Sequence, residues 1–400
     1  MKITLLDLPD IRQNLLPLTF TRPIANIRVG ILRISEKWEE RLNAKASYIT
    51  EPYLSNKFSS ADQTELLINA AVCPDTKLVD TIKSLKEGDA LYHESTFVAA
   101  KSNNRHNYGD AISTTFNKVV YQGEIVTINH SWDIFSNNGQ EIKNDFDLLT
   151  QRRKSKEIVD PHTIVYNPGN VFIEEGAKLK ACILNAENGP IYIGKNAQIH
   201  EGAIISGPTV ICESAHVNQG AKIRVNSTIG PYCKVGGEVS NAVFFGYSNK
   251  GHDGYLGNAV IGEWCNLGAD TNNSNLKNNY TSVKVWDYTS EKFKDTGLQF
   301  CGLIMGDHAK CAINTMFNTG TVVGVAANIF GAGFPKNFLP SFSWGGVGKT
   351  VTFAYRKALE TAEAMMSRRK LELSEADREI MQEVFNRTAQ YRTWEVKSDK

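Results

Sequence analysis

The stretch that decides the fold is IGKNAQ-IHEGAI-ISGPTV-ICESAH-VNQGAK-IRVNST-IGPYCK-VGGEVS, residues 193–240. Each group of six begins with an aliphatic residue, and its fifth position is often alanine. The same spacing starts earlier, in IEEGAK and LKACIL at 173–184, and returns at 261–272 in IGEWCN and LGADTN. The aliphatic first positions of the regular phase are Ile173, Leu179, Ile193, Ile199, Ile205, Ile211, Val217, Ile223, Ile229 and Val235.

A period of six matches neither a helix, which needs apolar spacing of three and four, nor a single strand, which alternates. It fits a triangular solenoid in which three short strands make one turn. The aliphatic side chains point into the bore, small residues relieve crowding at the corners, and stacked turns share one core. The sequence therefore predicts a parallel β-helix.

The flanking segments have other patterns. Residues 270–300 break the period and predict an excursion rich in Asn and Lys, after which the coils resume less regularly through residue 333. Residues 351–369 and 374–391 show helical apolar spacing, and Ser374 with Asp377 predicts a capping box. In the first 160 residues strand and helix patterns alternate, which indicates an α/β domain with a mainly parallel sheet. We expect domains at 1–160 and 161–345 and a helical tail at 346–400.

Composition excludes some classes of partner. The net charge is +1, with 42% hydrophobic and 22% charged residues, so nothing suggests nucleic acid or membrane as a partner. The first residues carry acids within their apolar run and do not resemble a signal peptide. The seven cysteines form no CxxC pair, which favours reduced, buried cysteine in a cytoplasmic protein.

One segment carries a family resemblance. GYSNKGHDGYLGNAVIGEWCNLGADTNNSNL, residues 246–276, resembles the acetyltransferase domain of the bifunctional UDP-N-acetylglucosamine diphosphorylase/glucosamine-1-phosphate N-acetyltransferase family. The segments LLPLTFTRPIANIRVGILRISEKWEERL and MGDHAKCAINTMFNTGTVVGVAANIFG resemble a divergent branch of that family in Bacteroidetes-type bacteria. The resemblance implies a nucleotidyltransferase-like domain, a left-handed β-helix, and a homotrimer whose neighbouring β-helices share the acyl site.

The resemblance also implies the residues of an acetyltransferase site. His252 matches the catalytic histidine, and imidazole titrates near neutral pH, as a general base requires. Asn275 matches an asparagine close to that histidine, which would fix its tautomer. Tyr255 and Asn266 match residues that hold the sugar, and Ala269 matches the position whose backbone N–H faces the thioester oxygen. These residues predict acetyl-CoA as the co-substrate.

The acceptor pocket departs from the family pattern. The arginine that grips the sugar phosphate falls on Gly236, with Lys234 two residues away. Lys234 and Lys250 are the substrate-binding candidates, whereas Lys277, Lys284 and Arg224 match no motif. Asn272 and Asn273 are typical of solenoid corners, where Asn tolerates left-handed conformations.

The N-terminal region lacks the phosphate-binding pattern of nucleotidyltransferases. LLDLPDIRQNLLPLTFTRPI, residues 5–24, contains no glycine, so Arg12, Arg22 and Arg28 are the nucleotide-binding candidates. Ala71 occupies the family's metal-binding aspartate position, and the spacing selects none of the alternative acids Asp75, Asp110, Asp145 and Asp147. The metal site is therefore unknown. Either arginines replace the glycine-rich loop, or the domain has become a binding module.

Three hypotheses follow. The favoured one is an enzyme of nucleotide-sugar synthesis for the cell envelope, which N-acetylates glucosamine-1-phosphate from acetyl-CoA. It would be coupled to uridylyl transfer from UTP with Mg²⁺ if the first domain is active, giving UDP-N-acetylglucosamine. The second is a nucleotidyltransferase acting on another sugar-1-phosphate, such as glucose-1-phosphate with UTP or dTTP, whose β-helix only oligomerises. The third is a non-catalytic trimeric scaffold that binds nucleotide sugar.

Overall fold

The computed structural model describes residues 2–60, 64–102, 106–109 and 116–395. Contacts divide the chain into two compact units, which we call the N-terminal unit (Met1–Arg28 with Leu32–Asp133) and the solenoid unit (Val29–Ile31 with Ile134–Lys400). The class predicted from the sequence, an α/β region followed by a parallel β-helix with a helical tail, is confirmed. The three-part domain division stays a prediction.

The N-terminal unit contains a six-stranded mixed sheet and a separate two-stranded antiparallel sheet. Its strands are β1 (Ile3–Leu6), β2 (Ala46–Ile49), β3 (Leu66–Asn69), β4 (Val72–Cys73), β5 (Asp89–His93), β6 (Thr96–Lys101), β7 (Asn117–Val120) and β8 (Val126–Thr127). Its helices are α1 (Pro9–Asn14), α2 (Ile34–Leu42) and α3 (Thr76–Lys83), with short 3₁₀ turns at Leu18–Phe20, Ile24–Asn26 and Pro52–Leu54.

The sheet order is β2-β1-β3-β6-β5-β7, and it is less parallel than the sequence predicts. β1 runs parallel to β2 and β3, and β5 runs parallel to β7, but β6 is antiparallel to both β3 and β5. The cause is local, because the two residues between β5 and β6 form a hairpin with Glu94 at a left-handed φ of 52°. A small core of Leu6, Ile49, Leu67 and Phe97 packs on this sheet.

The main part of the solenoid unit begins within helix α4 (Ser131–Thr150), and the strands of the unit follow this helix. Its strands are β9 (Ile164–Tyr166), β10 (Val171–Ile173), β11 (Lys178–Leu179), β12 (Ile183–Asn185), β13 (Ile191–Ile193), β14 (Gln198–Ile199), β15 (Ile204–Ser206), β16 (Thr209–Ile211), β17 (His216–Val217), β18 (Lys222–Ile223), β19 (Ser227–Ile229), β20 (Lys234–Val235), β21 (Glu238–Gly246), β22 (Asn249–Lys250), β23 (Tyr255–Glu263), β24 (Asn266–Leu267), β25 (Asn272–Asn273), β26 (Lys284–Asp287), β27 (Lys292–Asp295), β28 (Ile304–Met305), β29 (Lys310–Cys311), β30 (Met316–Phe317), β31 (Val322–Val323), β32 (Asn328–Phe330), β33 (Phe338–Leu339), β34 (Ser343–Gly346) and β35 (Val351–Thr352). A short 3₁₀ turn lies at Pro168–Asn170.

The aliphatic first positions of the repeats line the core, as predicted. Nine of the ten are buried, and Leu179, in the first turns, is half-buried but packs against the same core. Strands one turn apart pair in parallel, so Ile199 lies beside Val217 and Val217 beside Val235. These stacked side chains form the continuous core that the period of six predicts.

The excursion is shorter than expected. Asn272 and Asn273 still belong to a turn, because β25 pairs in parallel with β30. The chain leaves the solenoid after this strand, forms the antiparallel hairpin β26–β27, and returns where Leu276 and Phe300 form an isolated bridge. This strand could not be predicted from the sequence, because residues 270–273 are polar and asparagines stand where the other strands have aliphatic residues.

The tail contains helices α5 (Tyr355–Ser367) and α6 (Glu375–Arg387) and a 3₁₀ turn at Ala389–Tyr391. The Ser374–Asp377 capping box is confirmed, with each side chain accepting from the other residue's backbone N–H. The first helix begins later than predicted, because Val351 and Thr352 form β35 and pair with β34. In the part of the chain that the structure describes, no helix has the length and apolarity needed to cross a membrane.

Candidate functional site

The loop that carries His252 lies between β22 and β23, where the solenoid departs from its regular six-residue spacing. His252 is exposed, and the structure gives its ring no hydrogen-bond partner among the described residues. Gly254 has a φ of 114°, and a Cβ there would lie 2.2 Å from the Thr271 carbonyl oxygen. Only glycine fits this close approach of two backbones, so the loop conformation depends on it.

Lys250 holds this loop from inside the solenoid. Its side chain is 1% exposed and occupies the inward position next to Val235. The Nζ atom donates to the carbonyls of His252 at 2.9 Å, Asp253 at 3.3 Å and Gly236 at 3.4 Å. Burial lowers the pKa of Lys250 to about 8. Because Nζ faces backbone carbonyls, this placement does not support contact with a sugar.

Four of the residues singled out from the sequence meet at one cavity. His252, Lys234, Asn266 and Ala269 all line a cavity of about 880 Å³ on the solenoid surface. The carbonyl of Ala269 accepts from the Asn314 N–H at 2.8 Å, whereas the structure gives the Ala269 N–H no partner among the described residues. A free backbone donor and an exposed imidazole therefore border the same space.

The wall of this cavity is also cationic. It contains Lys310 together with Arg368 and Arg369, which follow helix α5. Burial lowers the pKa of Lys310 to about 8, and its Nζ donates to the His308 carbonyl at 2.9 Å. The pKa of the nearby His216 is lowered. Burial is the largest cause, and the positive charges of Lys234, His200 and Arg369 add to it.

Sequence reasoning missed these wall residues. Lys310 matched no catalytic or binding motif, and the only signal of Arg368 and Arg369 is the cationic run Arg368–Lys370 at the end of the predicted helix, a pattern typical of any helix C-terminus. For these two arginines the position is set by tertiary structure. Only the packing of α5 against the solenoid places them at the cavity.

Asn275 and Tyr255 form a separate cluster. The Asn275 Nδ2 donates to the Tyr255 Oη at 3.0 Å and to the Asn258 Oδ1 at 2.7 Å. Neither Tyr255 nor Asn275 lines the His252 cavity, so within one chain the structure does not bring Asn275 to the histidine ring. Burial raises the pKa of Tyr255.

The neighbouring asparagines have backbone roles. The Asn272 Oδ1 accepts from the Tyr255 N–H at 2.7 Å. The Asn273 amide both accepts from the Gly257 N–H at 2.8 Å and donates to the Gly257 carbonyl at 3.0 Å. Both asparagines therefore have backbone roles, but they lie in strand β25 and not at a left-handed corner, where Asp270 has a φ of 56°.

Two cations flank the Tyr255 cluster. The strand register places Lys222 beside Glu238 and Glu238 beside Tyr255. Arg224 forms an ion pair with Glu238 at 2.9 Å. Lys222 was not singled out from the sequence. Its only signal is its place in the repeat, because the residue directly before the inward-facing Ile223 is exposed. Register across the turns brings it near Tyr255.

In the N-terminal unit, Arg12 is used internally. It is 3% exposed and pairs with Asp7, which is fully buried, at 2.8 Å. Its guanidinium also donates to the Arg22 carbonyl at 3.0 Å and to the Tyr53 Oη at 3.2 Å. These contacts fix the segment after β1. They also keep the guanidinium in the interior of the unit, which does not support a phosphate-binding role for Arg12.

The other two arginine candidates are also buried. Arg22 is 5% exposed and Arg28 is 8% exposed. Although burial acts in the opposite direction, Arg28 and Arg33 lower the pKa of Glu36 in the first turn of α2. Arg28 therefore acts electrostatically on an acid at the start of a helix, and Arg33 forms the ion pair with that acid at 2.7 Å.

The candidate magnesium ligands are dispersed. Asp75 caps α3 by accepting from the Leu78 N–H at 2.7 Å, and Asp145 is buried and accepts from the Ile31 N–H at 2.8 Å. Asp147 is exposed on α4, Ala71 is buried, and Asp110 lies outside the described residues. Across 2–60, 64–102, 106–109 and 116–395, no group of three or more His, Cys, Asp or Glu residues is arranged to hold a metal ion.

The fold has two parts, and the comparisons match a nucleotidyltransferase family as well as bifunctional nucleotidylyltransferase/acetyltransferase proteins. Residues 3–154 match the family model described as sugar nucleotidyl transferase. The bifunctional protein GlmU of Wigglesworthia glossinidia brevipalpis is 27% identical over 195 residues, which cover 46% of this chain and 37% of that protein. A bifunctional sugar-1-phosphate nucleotidylyltransferase/acetyltransferase of Sulfurisphaera tokodaii is 28% identical over 214 residues, covering 53% and 46%.

The particular relationship is that of a divergent relative of the bifunctional GlmU-type transferases, and this confirms the resemblance read from the sequence. The chain spans less than half the length of the two curated relatives described above. Among solved structures, the UDP-N-acetylglucosamine acyltransferase of Francisella novicida covers 58% of this chain and 77% of its own, with 16% identity and a TM-score of 0.32.

Proposed function

We propose that the solenoid unit transfers an acetyl group from acetyl-CoA to the amino group of an amino-sugar phosphate, with glucosamine-1-phosphate as the acceptor. The observation that carries the proposal is that the exposed His252 ring and the unpartnered Ala269 N–H border one cavity with a cationic wall. A base, an oxyanion donor and an anion-binding wall are the elements that acyl transfer from a phosphorylated thioester needs.

The chemistry assigns one role to each group. His252 takes a proton from the sugar ammonium, and the neutral amine attacks the thioester carbonyl carbon. Negative charge develops on the carbonyl oxygen, to which the Ala269 N–H donates. The tetrahedral intermediate then collapses, the C–S bond breaks, and the CoA thiolate takes up the proton that the attacking nitrogen loses. His252 releases its own proton to solvent. The products are the N-acetylated sugar phosphate and CoA.

The charged residues fit the two substrates. Lys310, Arg368 and Arg369 in the cavity wall are suited to the phosphates of acetyl-CoA. Lys222 and Arg224, beside Tyr255, are suited to the phosphate of the sugar. Because Tyr255 and Asn275 do not line the His252 cavity of the same chain, we place the complete site between copies of the solenoid in a homotrimer.

The N-terminal unit is the second candidate activity. Its match to sugar nucleotidyl transferases supports uridylyl transfer from UTP with Mg²⁺, which would convert the acetylated product into UDP-N-acetylglucosamine. The internal contacts of Arg12 favour the alternative that this unit only binds a nucleotide sugar. All seven cysteines are free and buried, which supports the cytoplasm as the compartment.

Two assays run side by side separate the hypotheses. Thiol release from acetyl-CoA is measured with glucosamine-1-phosphate and with a panel of other amino-sugar phosphates, and pyrophosphate release is measured with UTP or dTTP and sugar-1-phosphates. Acetylation of one acceptor supports the proposal. Pyrophosphate release without acetylation supports a nucleotidyltransferase whose solenoid only oligomerises. Failure of both reactions favours the hypothesis of a non-catalytic scaffold that binds nucleotide sugar.

A further inference from the structure

A second and larger cavity lies away from the His252 site. It encloses about 1320 Å³ and is bordered by the hairpin β26–β27, by β33 and by the end of the tail. None of the residues that line the His252 cavity lines this one. We call it the hairpin cleft, and the acyl-transfer proposal leaves it without a role.

The hairpin cleft has an aromatic side. Trp286 stacks on Phe338 with 4.2 Å between ring centroids and 9° between planes, and Phe293 meets the Trp286 edge at 5.5 Å. Tyr391 packs edge-on against Phe338 at 5.9 Å. Phe293 is 45% exposed, so a large part of its ring is open to a ligand. Open aromatic faces bind planar bases by stacking, with little dependence on which base it is.

The same cleft carries a surplus of positive charge. Lys277, Lys284 and Lys336 line it, against one carboxylate, Glu291. Lys277 is held in place by a 2.6 Å hydrogen bond from its Nζ to the Ser282 carbonyl. Lys284 and Lys336 are exposed, and the structure gives neither an ion pair among the described residues. Ammonium groups beside an aromatic wall suit a ligand that joins a flat ring to phosphates.

We propose that the hairpin cleft binds a nucleoside diphosphate, free or as the head of a nucleotide sugar, with its base on the Phe293 side and its phosphates at Lys284 and Lys336. The volume exceeds that of a typical small-ligand site, which leaves room for an attached sugar. The proposal is independent of acetyl transfer, since no residue of the His252 cavity takes part.

The test is calorimetric titration of the full chain with UDP, ADP, UDP-glucose, uridine and inorganic pyrophosphate. UDP and ADP should bind with affinities within about tenfold of each other, because stacking tolerates any base. Uridine and pyrophosphate, each carrying half of the ligand, should bind at least about tenfold more weakly. Retained binding of UDP-glucose identifies a nucleotide sugar as an accepted form, whereas its loss restricts the site to the free nucleotide.

Variants locate the site and separate it from nucleotide binding by the N-terminal unit. Phe293→Ala and the double change Lys284→Gln with Lys336→Gln should each weaken UDP binding about tenfold or more. Lys292→Gln is the matched control, an exposed lysine of the same hairpin that does not line the cleft, and it should leave affinity unchanged. Absent UDP binding, or binding that both cleft variants leave unaltered, overturns the proposal whether or not the chain acetylates sugars.

Discussion

Tyr247 and Trp264 stack face to face on one corner of the solenoid, with ring centroids 4.3 Å apart and 11° between their planes. The stack continues to Tyr232, whose ring lies 5.0 Å from that of Tyr247. All three residues have left-handed backbones, with φ between 54° and 61°. Three successive turns of the solenoid therefore point an aromatic ring out of the same corner, and these rings form a surface beneath the tail.

This surface fixes helix α5, and thereby the cationic wall of the His252 cavity. Trp264 packs with Ala362 and Met366 of α5, and Tyr247 joins the same cluster. The Arg369 guanidinium also donates to the Tyr232 carbonyl at 3.1 Å. We therefore expect Trp264→Ala to lower the free energy of unfolding by about 3 kcal/mol and to raise the KM for acetyl-CoA more than that for the sugar.

Urea unfolding and steady-state kinetics check this prediction, and Trp264→Phe is the matched control. Phenylalanine keeps a ring in the stack, so it should recover most of the stability and of the acetyl-CoA KM. Equal effects of Trp264→Ala on the KM of both substrates would contradict the role assigned to α5.

His252 gives the sharpest test of the chemistry. Removing a positioned general base typically lowers the rate by ~10²–10⁴-fold, so His252→Ala should lower kcat by that order. The affinity for acetyl-CoA should stay nearly unchanged, because the proposed contacts with its phosphates come from Lys310, Arg368 and Arg369. The matched control is His162→Ala, an exposed histidine elsewhere on the solenoid unit, which should keep wild-type activity. A fully active His252→Ala enzyme would remove this histidine from the mechanism.

Asn275 should act through Tyr255 in the acceptor site. The two share a 3.0 Å hydrogen bond, so the effects of Asn275→Ala and Tyr255→Phe on kcat/KM for the sugar should not add. A double-mutant cycle should give a coupling of roughly 0.5–1.5 kcal/mol. The opposite result is that the effect of Asn275→Ala adds to the effect of Tyr255→Phe but not to the effect of His252→Ala. In that case Asn275 acts on the histidine of a neighbouring copy, as the family resemblance implies.

The solenoid was predictable because its information is local and repeated. Ile205 illustrates this, since its place in the period of six is enough to put it inside, and it is fully buried. Ile205→Ala should cost roughly 2–5 kcal/mol of unfolding free energy, measured in urea. The substitution Ile204→Ala, one residue earlier and 41% exposed, is the matched control and should cost far less. Similar losses at both positions would contradict the inward and outward assignment.

The candidate site was predictable only in part. The motif around His252 located one cavity, and Lys234, Asn266 and Ala269 indeed border it. Arg369 could not be found, because its contact with the Tyr232 carbonyl joins residues far apart in the sequence. Arg12 shows a different limit of the sequence, which is that it does not reveal burial. Nothing in the pattern shows that Asp7 is buried beside it, and a guanidinium paired inside a domain looks the same in sequence as one that awaits a phosphate.

Lys250 gives a prediction about pH. Burial lowers its pKa to about 8 from the ordinary 10.5, with Asp253, Asp270 and Cys311 acting in the opposite direction. Between pH 8 and 10.5 the unfolded chain keeps the proton that the folded chain has lost. Stability rises with pH wherever the unfolded state binds more protons, so this residue should make the protein more stable as pH increases through that window.

The measurement is the free energy of unfolding in urea at pH 7.5 and pH 9.5. Lys250→Met removes the titrating group but keeps a long apolar side chain in the bore, so its gain between the two values should be smaller than that of the wild type. Lys310, whose pKa burial also lowers to about 8, adds to the gain in every variant, and buried cysteines with a raised pKa, such as Cys301, oppose it in every variant. Lys178→Met, an exposed lysine of the solenoid, is the control and should keep the wild-type gain. If Lys250→Met gains as much stability as the wild type, the buried ammonium does not govern this pH dependence.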